Sequence, residues 1–173
     1  PAFYKDLSFD VVKDFAPISQ MSERTSLLQL SPTFPAKSFP EFIAYARANP
    51  GKVNYGTTGA GGIAHLSGAW LADAINIKVT FVHYKGAGPM LLELMAGRVD
   101  VGSGVLSVTL PYVKSGKTRA IAMLNNKRSK LLPDLPTAEE QGASGYNYSN
   151  WLGFLAPAGT PEPIVSRLSE GFS

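Results

Sequence analysis

The sequence predicts an α/β fold with a mainly parallel sheet flanked by helices. Two observations carry this. From residue 53 to residue 124, short segments rich in β-branched residues alternate with helical segments of ten or so residues. Each strand-to-helix junction is a glycine-rich turn, as βα connections require. The composition agrees: 173 residues, 45% hydrophobic and 17% charged, suffice for one domain with a real core.

The elements follow in order. The opening, 1–16, is irregular and partly aromatic (Phe3, Tyr4, Phe9, Phe15). Residues 17–30 read as extended, and Pro32 and Pro35 end that run because proline lacks the ladder N–H. Ser38, Pro40 and Glu41 make a helix start with a capping box, and Phe39, Phe42, Ile43 and Ala46 share one face before Pro50-Gly51 stops the helix. A strand at 53–56 leads through a turn to a helix at 62–74, where Ile63, Leu66, Trp70, Leu71 and Ala74 lie at helical spacing. Strand 79–84 precedes a helix ending near 96. Strand 99–102 leads through Ser103-Gly104 to a helix at 107–115, and 118–124 is a fourth strand. Crossovers between parallel strands are right-handed. Thr137 and Glu140 predict a short capped helix at 137–141. Residues 146–155 are an aromatic extended stretch. Thr160-Pro161 opens a last amphipathic helix that reads as cut short at Ser173.

Composition excludes several classes of function. Without cysteine there is no disulfide, thiolate chemistry or cysteine zinc site. The net charge of +3 suits a small anion. With no run of Lys and Arg, nucleic acid is not an expected partner. No stretch approaches the ~18 apolar residues of a membrane span, and no signal peptide is legible in residues 1–10. His65 and His83 lack metal-pair spacing and accompanying carboxylates, so neither a metal nor another cofactor is expected. No Ser–His–Asp order, carboxylate pair or nucleophile elbow appears, so no catalytic residue is expected.

In open α/β sheets, ligands bind beyond the carboxyl ends of the strands. Three junctions there are small and polar: Gly56 to Gly62 (with Thr57, Thr58, Gly59, Ala60 and Gly61), Tyr84-Lys85 with Gly86 and Gly88, and Gly102-Ser103-Gly104. Each leads into a helix N-terminus, where unpaired N–H groups and the dipole favour an anion. The alternative is that they are simply tight connections. Gly59, Gly61 and Ala64 nominally fit a dinucleotide fingerprint. The following strand, however, ends His83-Tyr84-Lys85, without the acid that a ribose requires. His65 either contacts a ligand or caps a loop. Lys85 either neutralises a carboxylate or sits on a solvated rim. Trp151 belongs either to a core or edge strand or to the mouth of a cleft.

Several words in order along the chain resemble the Bug family of periplasmic solute-binding proteins, the TctC-like receptors of tripartite tricarboxylate transporters. They are Asp14-Phe-Ala-Pro17, Asn49-Pro-Gly-Lys-Val-Asn-Tyr55, Gly59 with His65-Leu66 and Gly68, Tyr84-Lys-Gly86, Leu91-Leu92 with Gly97 and Asp100, and Leu110-Pro111. Gly116-Lys117 with Arg119-Ala120, Leu132-Pro-Asp-Leu-Pro-Thr137, and Trp151 through Pro161 complete the set. The resemblance implies a two-lobed flytrap of periplasmic-binding-protein type II, here truncated. Residues 19–149 would be lobe two. Residues 1–18 would be a flank of lobe one, and 150–173 a crossover strand and the start of the return to it. It implies capture of a small carboxylate (amino acid, dicarboxylate or aromatic acid) between the lobes, hinge closure near 17–22 and 148–152, and docking to membrane permease subunits. The family's site falls on Thr57, Thr58, Gly59, Ala60, Gly61 and Gly62 with His65 behind them, and Tyr84, Lys85, Ser103 and Trp151 join as candidates. Many relatives carry bulkier, often acidic residues where this chain has Gly102-Ser-Gly104. The whole protein is expected to be a monomer. This chain is expected to self-associate through residues 151–157 and the Ile164, Val165, Leu168 face. The rival reading is an α/β enzyme that uses the glycine-rich turn for a phosphate or nucleotide.

Overall fold

A computed structural model describes residues 7–172; Phe3 and Tyr4 of the irregular opening lie outside them. The chain forms two compact units, one of Thr25–Ser149, the other of the segment up to Arg24 together with the segment from Asn150. In the smaller unit, β1 (Phe15–Arg24) pairs antiparallel with the last strand. Residues 19–24 therefore lie outside the larger unit, because one continuous strand carries the chain to Arg24.

The larger unit is built on a five-stranded sheet. Its strands are β2 (Ser26–Leu30), β3 (Val53–Thr57), β4 (Val79–His83), β5 (Val101–Val105) and β6 (Arg119–Met123), in spatial order β4-β3-β5-β2-β6. β3 is parallel to both β4 and β5, and β2 is antiparallel to both β5 and β6. Four strands thus point one way and β2 runs against them. Every β2 residue is buried, as expected of a strand covered on both faces.

Helix α1 (Phe39–Ala48) starts as the capping residues predict, with a shift of one residue in the box. Ser38 Oγ accepts from the Glu41 amide, but the Glu41 carboxylate accepts from the Lys37 amide at 2.8 Å. That bond, then the Ser38 hydroxyl, holds the Glu41 carboxyl below its ordinary pKa. Phe39, Phe42 and Ala46 join Leu28, Leu30, Val53, Tyr55 and Leu71 in the main core.

Helix α2 (Ile63–Ala74) departs from the apolar spacing. It lies on the sheet by Leu71, as expected, and otherwise by small residues (Ala64, Ser67, Gly68, Ala72), while Ile63, Leu66 and Trp70 are half exposed. Tyr55 is the cause. Its buried ring fills the gap so closely that a Cβ at residue 68 would sit 2.8 Å from Tyr55 Cζ, and only glycine allows the helix this near. Trp70 instead covers Tyr146, ring centroids 5.0 Å apart.

On the opposite face, α3 (Ala87–Met95) seats Met90 against Gly56 and Gly102. Helix α4 (Leu106–Lys114) follows β5 directly. The helix expected at 137–141 does not form. The reciprocal bonds of its capping box do (Glu140 N to Thr137 Oγ1, 3.0 Å; Thr137 N to Glu140 Oε2, 2.7 Å), but they close a turn. Gly142 follows at once in a left-handed conformation (φ +102°), which stops helix growth. In the smaller unit, β7 (Asn150–Pro157) precedes α5 (Glu162–Gly171), which buries no residue. Among the described residues no helix is long and apolar enough to cross a membrane.

Candidate functional site

Because β3, β4 and β5 are adjacent and parallel, their carboxyl ends form one edge of the larger unit. The register places Thr57 beside His83 there, and the two side chains bond, Thr57 Oγ1 to His83 Nδ1 at 2.7 Å. The chain then turns through residues 58–62 into α2. Gly61, at φ +72°, takes a left-handed conformation that suits glycine and aims its amide inward. There it donates to His65 Nδ1 at 3.0 Å. Gly62 donates to the Gly59 carbonyl and His65 to the Gly62 carbonyl.

With those amides engaged, four remain from Gly59 onward. Among the described residues, the N–H groups of Gly59, Ala60, Ile63 and Ala64 donate to no protein acceptor. No side chain caps α2, and no acid sits in its first turn. An uncapped helix end with unpaired donors and the positive end of the dipole favours a carboxylate or similar anion. Thr58, half buried and with no side-chain hydrogen bond among the described residues, flanks it.

The other sequence candidates separate. Thr57 is fully buried and bonded to His83, so its hydroxyl is turned away from the turn's surface. Tyr84 begins the neighbouring junction, its amide on the Thr57 carbonyl, and Lys85 is exposed beside it; Gly86 caps α3. Burial, then the nearby Glu93 carboxylate, raises the Tyr84 pKa.

Ser103 is not in a turn. Gly102, Ser103 and Gly104 lie inside β5, paired with Gln29, Leu28 and Leu27, and Ser103 is buried. The glycines serve packing: a Cβ at 104 would meet Thr109 Cγ2 at 2.5 Å, and one at 102 would meet Met90 Sδ at 3.0 Å. The helix starts at Leu106, one residue before the expected 107, with no turn between it and β5. Ser103 instead lies beside the Tyr55 phenol. Burial drives the Tyr55 pKa strongly upward and Ser103 offsets part of that, although the hydroxyl pair lies outside strict hydrogen-bond geometry.

Trp151 belongs to the smaller unit, on β7 opposite Glu23, and is half exposed. His83 is the residue that sequence reasoning passed over. The parallel pairing of β3 and β4 was the available signal, since it puts the last residues of both strands side by side. Among the described residues, no group of three His, Cys, Asp or Glu side chains is placed to hold a metal ion.

Comparison with known proteins matches the chain to a family. The profile described as "Tripartite tricarboxylate transporter family receptor" (TctC) covers residues 1–173. A protein of Agrobacterium vitis encoded in the TAR-I ttuE-ttuC' intergenic region is 32% identical over 169 residues, 98% of this chain and 49% of that protein. BugT of Bordetella pertussis is 29% identical over 163 residues, 94% of this chain and 50% of BugT. The chain spans about half the length of the curated relatives it matches. Among solved structures, R. palustris Rpa4515 with adipate superposes with a TM-score of 0.87 at 33% identity, covering 98% of this chain and 56% of that one. MatC (Rpa3494) from Rhodopseudomonas palustris with bound malate gives 0.85 at 33% identity over 98% and 57%. The periplasmic binding protein BugD gives 0.80 at 32% identity over 91% and 53%.

Proposed function

This chain belongs to the TctC family of tripartite tricarboxylate transporter receptors, and from that premise we propose that it captures a small carboxylate, without chemical change, for a tripartite transporter. The observation that carries the reading is the set of four unpaired amides at the start of α2, with the Thr58 hydroxyl beside them. A carboxylate oxygen there gains charge-assisted hydrogen bonds at no cost to the helix, which has no acidic or capping group of its own. The adipate and malate in two structural relatives support a dicarboxylate as the ligand class. Tyr84 and Lys85, on the adjoining junction, are proposed as its flank, with Lys85 supplying a cation. Trp151 is proposed as a further contact of the whole protein. The larger unit, Thr25–Ser149, would be one lobe of the flytrap.

In the whole protein the bound acid would be handed to permease subunits from the periplasm, where the relative BugD is described as a binding protein. Calorimetric titration with adipate, malate and inorganic phosphate, followed by mass analysis of the ligand, tests the reading. Saturable binding of a carboxylate recovered unchanged supports it. Preference for phosphate, or a modified product, points to the rival enzyme.

A further inference from the structure

The hydrogen bond between Gly61 and His65 has a chemical condition attached. A ring nitrogen accepts only when it carries no proton, so the 3.0 Å bond from the Gly61 amide requires a neutral His65 with its proton on Nε2. The surroundings of the ring favour that state. From β4, Phe81 and His83 each stand edge-on with ring centroids 4.8 Å away. From its own turn comes Gly61, and behind His83 lies the hydroxyl of Thr57. Among the described residues His83, another base, acts electrostatically on the ring. The ring also sits in the first turn of α2, where the dipole disfavours a cation.

We infer that His65 is a positioning residue for the ligand turn: its neutral ring latches the Gly61 amide inward, and protonation releases the turn and weakens carboxylate capture. This rests on the binding role proposed above for the same turn. The latch determines which amides are left to the ligand. With Gly61 held inward at positive φ, the donors that stay open are those of Gly59, Ala60, Ile63 and Ala64. Once Nδ1 is protonated, two N–H groups face each other and the turn must reorganise.

Burial, and after it the neighbouring His83, lowers the His65 pKa below the ordinary imidazole value. The sign follows. The stabilisation is complete above the unfolded value of about 6.5 and is lost as pH falls from there through the lowered folded value. A second effect has the opposite sense, because a charged ring would attract the ligand anion, and the test separates the two.

The ligand-free protein is followed by amide and imidazole NMR from about pH 8 to about pH 4. The Gly61 amide and the His65 ring should move together with one midpoint below about 6.5. His65→Asn puts Oδ1 where Nδ1 lies and does not titrate, so Gly61 should keep its neutral-pH position throughout. His65→Phe should show the released position at every pH. A Gly61 amide that ignores the His65 midpoint, or that titrates equally in His65→Asn, overturns the latch. With adipate as probe, Kd should rise about fivefold across the midpoint in the native protein, the worth of one net hydrogen bond, and stay level relative to this in His65→Asn. A Kd that falls on acidification in the native protein alone overturns the proposed sign. Absence of adipate binding at every pH counts against the binding role, and the Gly61 titration then decides the latch by itself.

Discussion

Replacing Ala60 with aspartate places a carboxylate among the donors proposed for the ligand, and its effects on stability and on affinity should have opposite signs. Ala60 is exposed, and its backbone is not among those at positive φ, so a side chain there meets no steric barrier. An acid beside an uncapped helix start stabilises by about 0.3–1 kcal/mol. If the introduced carboxylate claims two of the four open amides, a ligand loses two charge-assisted hydrogen bonds, and a loss of about 3 kcal/mol corresponds to roughly a hundredfold in Kd. Ala60→Asn keeps the size without the charge and should cost far less. Calorimetry with adipate and urea denaturation of the same preparations give both quantities. Ala60→Asp binding as tightly as Ala60→Asn, in a folded protein, would refute the reasoning.

Three further outcomes are expected. Thr58→Val keeps the shape and removes the half-buried hydroxyl, so adipate affinity measured by calorimetry should fall about tenfold; an unchanged Kd would remove Thr58 from the site. Gly68→Ala gains about 1 kcal/mol of helix propensity but drives Cβ into Tyr55 at 2.8 Å, an overpacking cost of about 1–3 kcal/mol, so urea denaturation should show a net loss; a stabilised variant would mean α2 is not seated on Tyr55. The α5 row Ile164, Leu168 and Phe172 is exposed and apolar, so sedimentation of this chain should show self-association that Leu168→Asp abolishes, and a native monomer at high concentration would contradict it.

The sequence announced the alternation of strands and helices well where a junction carries glycine or a cap that acts locally, as before α1, α2 and α3. Ser38 and the turn before Ile63 mark helix starts whatever the rest of the chain does. It misled where tertiary packing sets the outcome. The buried face of α2 follows from the Tyr55 ring beneath Gly68, a contact from another element, and so the larger apolar residues Ile63, Leu66 and Trp70 turn outward. Gly102 and Gly104 look like a turn, yet they leave room for Met90 and Thr109 within a strand. At the candidate site, a tight turn running into a helix start was legible from its glycines. The inward role of Thr57 and the part played by His83 were not, since both depend on the register of two strands.

The central claim is that a carboxylate is held by the first amides of α2 and the turn before it. Titrating the 15N-labelled protein with adipate and following individual amides tests this most directly. The account predicts that Gly59, Ala60, Ile63 and Ala64 shift together, saturably and with one Kd, while the already engaged Gly62 amide moves little. Saturable binding that leaves those four amides unmoved, with the shifts elsewhere in the protein, would contradict it.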